Sequence, residues 1–436
     1  MISFWRRRRN GRRADKKQEE DLEIVIPNHF QCPISLDLMK DPVTLSSGIT
    51  YDRESIERWL EDGNFTCPVT NQVLRNFDQI PNHIIRKMIQ EWCVENRRFG
   101  FERIPTPRIP VAPIEVSKIL YEISTSTQHG NPNGCLELVK RIEDLGAESE
   151  RNKRCILESG AACVLSAAFD AFATDCFERN ANVLEEILSA LNWMFPLDVE
   201  AQTYLGSSTS IRCMVWFLKC GDLSTIQSSI LALKELASSD EKYVETLVEI
   251  EGVREILVKL IKEPICPAIT KASLMVIFCM VSSSSSSEVM RPAFVEMGMV
   301  PLLLEVLINS ERSICESALG LFERLCSCEE GREKAYSNAL TMPVLVKKIL
   351  RVSELATEFS VSTIWKLCKY ERRNEGSVVV EALQVGAFQK LLLLLQVGCG
   401  DETKEKTTEL LKLLNPYRAG LECIESTDFK NLKRPF

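Results

Sequence analysis

Between residues 26 and 97 the side chains able to ligate a metal through nitrogen or sulfur, or to act as a strong nucleophile, are His29, Cys32, Cys67, His83 and Cys93. Two chemistries compete for them. A two-zinc module needs eight Cys or His ligands in paired short spacings. Five candidates with no C-x-x-C pair do not supply that, so no metal is expected. A covalent thiol nucleophile needs a lowered thiol pKa and a nearby base. Cys32 and Cys67 are each followed by proline in an apolar setting, which reads as buried, inert cysteine. The whole chain has 17 cysteines, an odd number scattered through apolar patterns, with no recognisable leader. Reduced thiols in a cytosolic or nuclear protein are expected.

The two cysteines sit in loops that flank a short helix. Pro27, Pro33 and Pro42 break regular structure in the first arm. Val43-Thr44-Leu45 and Ile49-Thr50-Tyr51 are β-prone, and Ser46-Ser47-Gly48 between them predicts a hairpin turn. Asp52 is expected to cap the next helix, whose Ile56, Trp59 and Leu60 share one face, and Gly63 fits its end. A further helix should begin after Pro81, with Asn82 as its cap and Ile85, Met88, Ile89 and Trp92 as its apolar face. Ile34 and Pro68 occupy equivalent places in the two loops on this reading. Together with Trp59 they either pack inward or form an exposed apolar groove for a partner's loops.

The linked motifs Ile26-Pro27-Asn28-His29-Phe30-Gln31-Cys32-Pro33-Ile34-Ser35, Asp41-Pro42-Val43, Gly48-Ile49-Thr50-Tyr51-Asp52-Arg53, Trp59 and Cys67-Pro68-Val69-Thr70 stand in the order found in the U-box. The stretch resembles that domain, the zinc-free relative of the RING. The resemblance implies a ubiquitin ligase that binds a ubiquitin-charged conjugating enzyme and lets a substrate lysine attack, by proximity and without a catalytic nucleophile or cofactor of its own. It implies that Ile34, Trp59 and Pro68 contact the conjugating enzyme. It places Asn71 where many relatives carry a cation that clamps ubiquitin; asparagine hydrogen-bonds but has no charge. Cys32, Pro33, Asp41, Pro42, Val43, Gly48, Tyr51, Asp52 and Cys67 then read as structural. Polar and salt-bridge contacts should replace the metals, with Asp37, Lys40, Asp41, Asp52, Arg53 and Glu57 as candidates. U-boxes also form homodimers, so self-association is an expectation.

Around this module the composition is that of an ordinary globular protein, 45% hydrophobic over 436 residues, long enough for several domains. The net charge of -8 argues against a dedicated nucleic-acid binder, and the longest apolar run, around Leu391 to Leu395, is too short to span a membrane. Residues 1–25 form a basic tail with Arg6 to Arg9, Arg12, Arg13, Lys16 and Lys17 behind Phe4 and Trp5. It reads as a solvated arm, a nuclear-localisation patch or a peripheral contact to anionic lipid. Ile at position 2 lacks the glycine that N-myristoylation needs. A cytoplasmic protein with a nuclear or inner-plasma-membrane fraction is the expectation. Residues 26–100 form the U-box, and residues 101–114 a semi-rigid linker marked by Pro105, Pro107, Pro110 and Pro113.

From 115 to 436 helical periodicity replaces strand signals. A turn followed by an apolar helix recurs at Gly160, Gly252, Gly298 and Gly386, with a weaker copy at Leu340 that lacks glycine. Gly160 to Gly252 is 92 positions, room for a degenerate unit near Gly206, and Gly252 to Gly298 is 46. Second apolar helices lie between, at 187–194, 230–237, 274–281, 318–326, 361–368 and 410–414. Such a period resembles armadillo or HEAT repeats, and the turn glycine looks more like armadillo. The predicted fold is therefore mostly α: a small α+β U-box followed by an α-solenoid with a concave face for a protein substrate. Trp193, Trp216 and Trp365 are expected in the core, and the Ser282 to Ser287 run as a flexible loop. Asn192 alone suits the asparagine ladder of nuclear-import receptors; Glu235, Arg324 and Lys366 stand in later units, against import of basic peptides. A U-box, a proline-rich linker and armadillo repeats together resemble the plant U-box ubiquitin ligases, whose members act in stress, immune or hormone signalling. The alternative is a non-catalytic armadillo scaffold whose U-box only docks partners.

Overall fold

A computed structural model describes residues 26–106, 110–371 and 376–428, with side chains to 418. The basic tail and Pro107 lie outside the described residues. The chain divides into two compact units, residues up to 109 and residues from 110.

The first unit is built on a three-stranded antiparallel sheet in the order β2-β1-β3, with β1 Pro42–Thr44, β2 Thr50–Asp52 and β3 Ile80–Pro81. Val43 pairs with Tyr51 on one side and Pro81 on the other. Gly48 makes the hairpin turn at φ 79°, a backbone region open to glycine at little cost. The edge strand β3 carries no sequence signal, because it is two residues long and ends in a proline, which only an edge accepts. Helices α1 (Arg53–Glu61) and α2 (His83–Glu95) complete the unit. Asn82 caps α2 as expected, accepting from Ile85 N–H at 3.1 Å. Asp52 precedes α1 but does not cap it with its side chain; its carboxylate accepts instead from the Lys40 and Asp41 N–H groups, both at 2.8 Å. On α2, Ile89 and Cys93 are buried, whereas Met88 is 42% exposed and lies off the core face.

The expected linker is partly claimed by the two units. Phe101 and Ile104 pack on the core of the first, and the Gln90 side chain donates to Ile104 C=O at 2.8 Å. Val111 is buried in the second, its N–H bonded to Asn152 Oδ1 at 3.0 Å, and Pro113 starts a helix. Apolar side chains before and among the prolines have surface to bury and take it.

The second unit is helical throughout its described residues, with one continuous core. Gly160, Gly252, Gly298 and Gly386 have φ between 78° and 81° and each directly precedes a helix. A left-handed residue ends one helix and turns the chain into the next. At the copy without glycine, Leu340 has φ -84° and the helix still begins at Thr341. Gly206 answers to a different demand: a Cβ there would lie 2.0 Å from the Tyr243 ring.

Seven helices stack in sequence as a ladder: Pro132–Glu148, Ala181–Asn192, Leu223–Ser239, Pro267–Ser282, Arg312–Leu325, Glu354–Lys369 and Asp401–Asp428. They contain the second apolar segments of the sequence reading. Trp193, Trp216 and Trp365 are half-buried against the core, and the Trp365 ring has Lys369 Nζ 4.2 Å from its centroid. The serine run does bridge two helices, but it is pinned: the Glu241 carboxylate accepts from Ser283 Oγ at 2.6 Å and Ser284 Oγ at 2.7 Å. Among the described residues no single helix is long and apolar enough to cross a membrane.

Candidate functional site

The two cysteine loops of the first unit are copies of one structure. In the first, Cys32 N–H bonds to Asp37 C=O, Leu36 N–H to Cys32 C=O and Met39 N–H to Phe30 C=O. In the second, Cys67 N–H bonds to Gln72 C=O, Asn71 N–H to Cys67 C=O and Leu74 N–H to Phe65 C=O. Leu36 and Asn71 occupy the same left-handed turn position, at φ 61° and 55°. This correspondence pairs Pro33 with Pro68 and Ile34 with Val69, so Ile34 and Pro68 are neighbours of equivalent sites rather than equivalents. It also gives Asn71 a backbone reason to be asparagine, which tolerates that conformation better than leucine does.

Adjacent residues of β2 hold the two loops. Asp52 N–H donates to Cys32 Sγ at 3.3 Å, and the Tyr51 hydroxyl lies 3.0 Å from Cys67 Sγ. Both sulfurs are fully buried. Burial alone would raise the Cys67 thiol, but the polar groups around it, the bonded Tyr51 hydroxyl among them, outweigh it and bring it to about 6. The donors that stabilise a thiolate there close the sulfur off, so the low value does not present a nucleophile to a substrate. Burial pushes the Tyr51 phenol upward. Hydrogen bonds to both sulfurs thus brace the two loops against the sheet. Among the described residues no three or more Cys, His, Asp or Glu side chains are gathered to hold a metal.

Of the charged candidates, Asp41 carries the main pairing. It binds Arg53 Nε at 2.7 Å and also Arg86, from α2. Arg53 reaches on to Gln79 Oε1 at 3.0 Å. Pro42, Val43 and Tyr51 are buried beneath this cluster, while Pro33 is exposed.

Ile34, Trp59 and Pro68 are all half-buried, Ile34 and Trp59 against the same core. Trp59 Nε1 donates to Thr66 C=O at 2.8 Å, which ties α1 to the second loop just before Pro68. Two residues to which the sequence reading gave no contact role flank them: Leu36 is 70% and Val69 51% exposed. The repeat of the Cys-Pro pair at the head of both loops is the signal that would have found them.

In the second unit, a depression of about 320 Å³ opens across the first three ladder helices, lined by Lys140, Asn182, Glu185, Glu186, Ser189 and Asp222 among others. Burial and a hydrogen bond shared with Glu186 push the neighbouring Glu143 carboxyl up to about 7. Nearby, Asn192 donates to Ser228 Oγ at 2.7 Å. Farther along, Glu323 is buried and takes Lys366 Nζ at 2.6 Å and Ser362 Oγ at 2.9 Å, and Lys406 Nζ reaches Ser362 Oγ at 3.0 Å. The ladder therefore changes from a cluster of carboxylates with Lys140 beside it to a buried ion pair with hydroxyl partners.

Residues 26–98 match the U-box domain, and residues 115–434 match the plant U-box protein ARM repeat region. U-box domain-containing protein 21 of Arabidopsis thaliana is 47% identical over 444 residues, covering 100% of both chains. E3 ubiquitin-protein ligase PUB22 of the same plant is 33% identical over 425 residues, covering 90% of this chain and 95% of that protein. Among solved structures, an engineered protein aligns with a TM-score of 0.51 at 15% identity, over 76% of this chain and 80% of its own, a likeness of fold alone. With both parts matched and a relative aligned end to end, the chain belongs to the plant U-box proteins that carry ARM repeats.

Proposed function

We propose that this protein is an E3 ubiquitin-protein ligase of the RING type. Its U-box docks a ubiquitin-charged conjugating enzyme through Ile34, Trp59 and Pro68, and its repeat ladder recruits the protein substrate. The substrate lysine amine attacks the thioester carbonyl. The C–S bond to the conjugating enzyme breaks as the isopeptide C–N bond forms, the enzyme's cysteine leaves as thiolate, and the proton lost by the amine passes to solvent. The ligase contributes proximity and orientation, not a nucleophile. The observation that carries the reading is the set of half-buried apolar side chains on two braced loops and the helix between them. Similarity to the E3 ubiquitin-protein ligase PUB22 supports it.

Reconstitution with activating enzyme, a panel of charged conjugating enzymes and wild-type or Ile34→Ala protein is the test. Polyubiquitin from the wild type and at least a tenfold lower rate from the folded variant are expected; equal rates would remove the docking model. A second reading, a non-catalytic scaffold, is favoured by Asn71, which offers no charge at the clamp position. Measurable binding to a conjugating enzyme with no product across the panel would select it.

We extend the proposal to self-association, for which the exposed Ile80, Ile84 and Met88 on β3 and α2 supply an apolar face. Light scattering of wild-type and Ile84→Glu protein tests this. We further assign the protein to signalling in the cytoplasm, with the basic tail directing a fraction to the nucleus or to anionic lipid at the inner plasma membrane. Imaging with and without residues 1–25 separates these destinations.

A further inference from the structure

One phenol oxygen grips the residues on both sides of Pro68. Tyr51 is fully buried on β2. Its hydroxyl accepts from Val69 N–H at 3.3 Å and lies 3.0 Å from Cys67 Sγ. Accepting from Val69 leaves the phenol's own proton for the sulfur.

The internal bonds of the second loop, Cys67 to Gln72, Asn71 to Cys67 and Leu74 to Phe65, fix its shape. Its place on the sheet is left to the packing of Cys67 and Leu74 in the core and to bonds from the scaffold. Among the described residues, the hydrogen bonds from the loop backbone to the scaffold run through two aromatic side chains, Tyr51 to Val69 and Trp59 to Thr66. Of these only Tyr51 brackets Pro68. The first loop has the same shape but is held otherwise: Asp52 takes it by its N–H at Cys32 and by its carboxylate at Lys40 and Asp41, and among the described residues no buried hydroxyl is bonded beside Ile34.

We propose that Tyr51 is a positioning residue for ubiquitin transfer: its hydroxyl holds Cys67 and Val69 so that Pro68 stands at the level of Ile34 and Trp59, where the conjugating enzyme docks. The proposal rests on the docking reading above. An apolar contact is sensitive to small displacement, because dispersion falls steeply with a gap of a fraction of an ångström. A loop of correct shape but free to ride up and down would still bind, more weakly, and would turn over bound conjugate at the normal rate.

The test uses the full chain with Tyr51→Phe, which keeps the buried ring and removes the oxygen. We expect the KM for the charged conjugating enzyme to rise about tenfold, equivalent to about 1.4 kcal/mol, with kcat within about twofold of wild type. The Val69 amide should lose hydrogen-exchange protection while core amides keep theirs. A merely structural role predicts another pattern, a lower active fraction that cuts apparent kcat at unchanged KM, and that result overturns the proposal. Cys67→Ala removes the other end of the grip and should raise KM in the same direction, less than additively with Tyr51→Phe. If Tyr51→Phe does not fold, Cys67→Ala decides alone, and a wild-type KM overturns the proposal. Ile34→Ala run alongside separates the two ideas. Undiminished transfer by that variant removes the docking reading and the Tyr51 role with it; lost transfer there beside a wild-type KM in Tyr51→Phe removes only the role of Tyr51.

Discussion

Arg86, near the start of α2, donates to the carboxylate of Asp41, which also holds Arg53 at the start of α1. One carboxylate thereby fastens the sheet to both helices of the U-box. The side chains of Arg53, Arg86 and Asp41 are only 11%, 10% and 20% exposed. Removing the shared partner leaves two largely buried guanidiniums without their counter-charge. Asp41→Ala should destabilise the U-box by about 3 kcal/mol, read as an earlier unfolding transition in urea while the repeat transition stays in place. An unmoved first transition would show that the cluster is not what holds these elements.

Trp59 supports the docking face in two ways, by packing and by its bond to Thr66 C=O. Trp59→Ala mixes these and opens a cavity worth about 3–5 kcal/mol. Trp59→Phe separates them: it keeps most of the apolar body and loses one hydrogen bond, at about 1 kcal/mol of stability. Conjugating-enzyme affinity should fall by more than that stability change alone explains, because the second loop loses a tie next to Pro68. Calorimetric titration of uncharged conjugating enzyme into both variants, beside their thermal unfolding, measures the two effects apart.

The parts of this architecture written in local signals were legible in the sequence. The hairpin around Gly48, the Asn82 cap and the left-handed glycines at 160, 252, 298 and 386 each depend on residues within one turn of chain. What escaped depends on distant partners. Arg86 meets Asp41 across 45 residues, and no local pattern marks that pairing. Asp52 looked like a helix cap because its spacing is right, yet two backbone donors from the first loop compete for its carboxylate and win. The likeness of the two cysteine loops was visible only as a repeated Cys-Pro. Its consequence, that Leu36 and Val69 belong to the face with Ile34 and Pro68, needed the backbone bonds. The linker was read from its prolines, while Phe101 and Ile104 before them and Val111 among them follow the ordinary rule that apolar side chains seek cover.

Glu323 and Lys366 form a buried pair between two ladder helices. Burial raises the Glu323 carboxyl, but Lys366, Ser362 and Arg324 outweigh it, so its pKa is lowered overall. A lowered carboxyl stabilises the fold above its unfolded value and loses that contribution as pH falls through the folded value. Lys366→Met removes the main cause and leaves burial dominant. The variant should lose about 3 kcal/mol at neutral pH and should gain relative stability on acidification, the opposite of the wild-type pair. Adding Glu323→Leu should restore most of the loss. Urea midpoints of the repeat transition for the single and double variants, at pH 5 and pH 7.5, give both the size and the sign.

Glu143 presents the reverse case on the first two ladder helices. Burial, followed by the hydrogen bond and charge shared with Glu186, raises its carboxyl from an ordinary 4.5 to about 7. A raised carboxyl means the folded state binds the extra proton, so stability falls as pH climbs from about 4.5 to about 7 and the full penalty is present above that. The group is partly open to solvent, so the shift is discounted for screening to about 1–2 kcal/mol. Glu143→Gln replaces the carboxyl-to-carboxylate contact with an amide that can donate to Glu186, and removes the second charge. The variant should match the wild type near pH 4.5 and exceed it by about 1–2 kcal/mol at pH 8. Because other groups also titrate across this range, the decisive quantity is the difference between the two proteins at each pH, followed by the thermal midpoint of the repeat transition. A difference that stays flat from pH 4.5 to 8 would mean that Glu143 and Glu186 do not share a proton in the folded chain, and that Lys140 or solvent already compensates the charge in this part of the ladder.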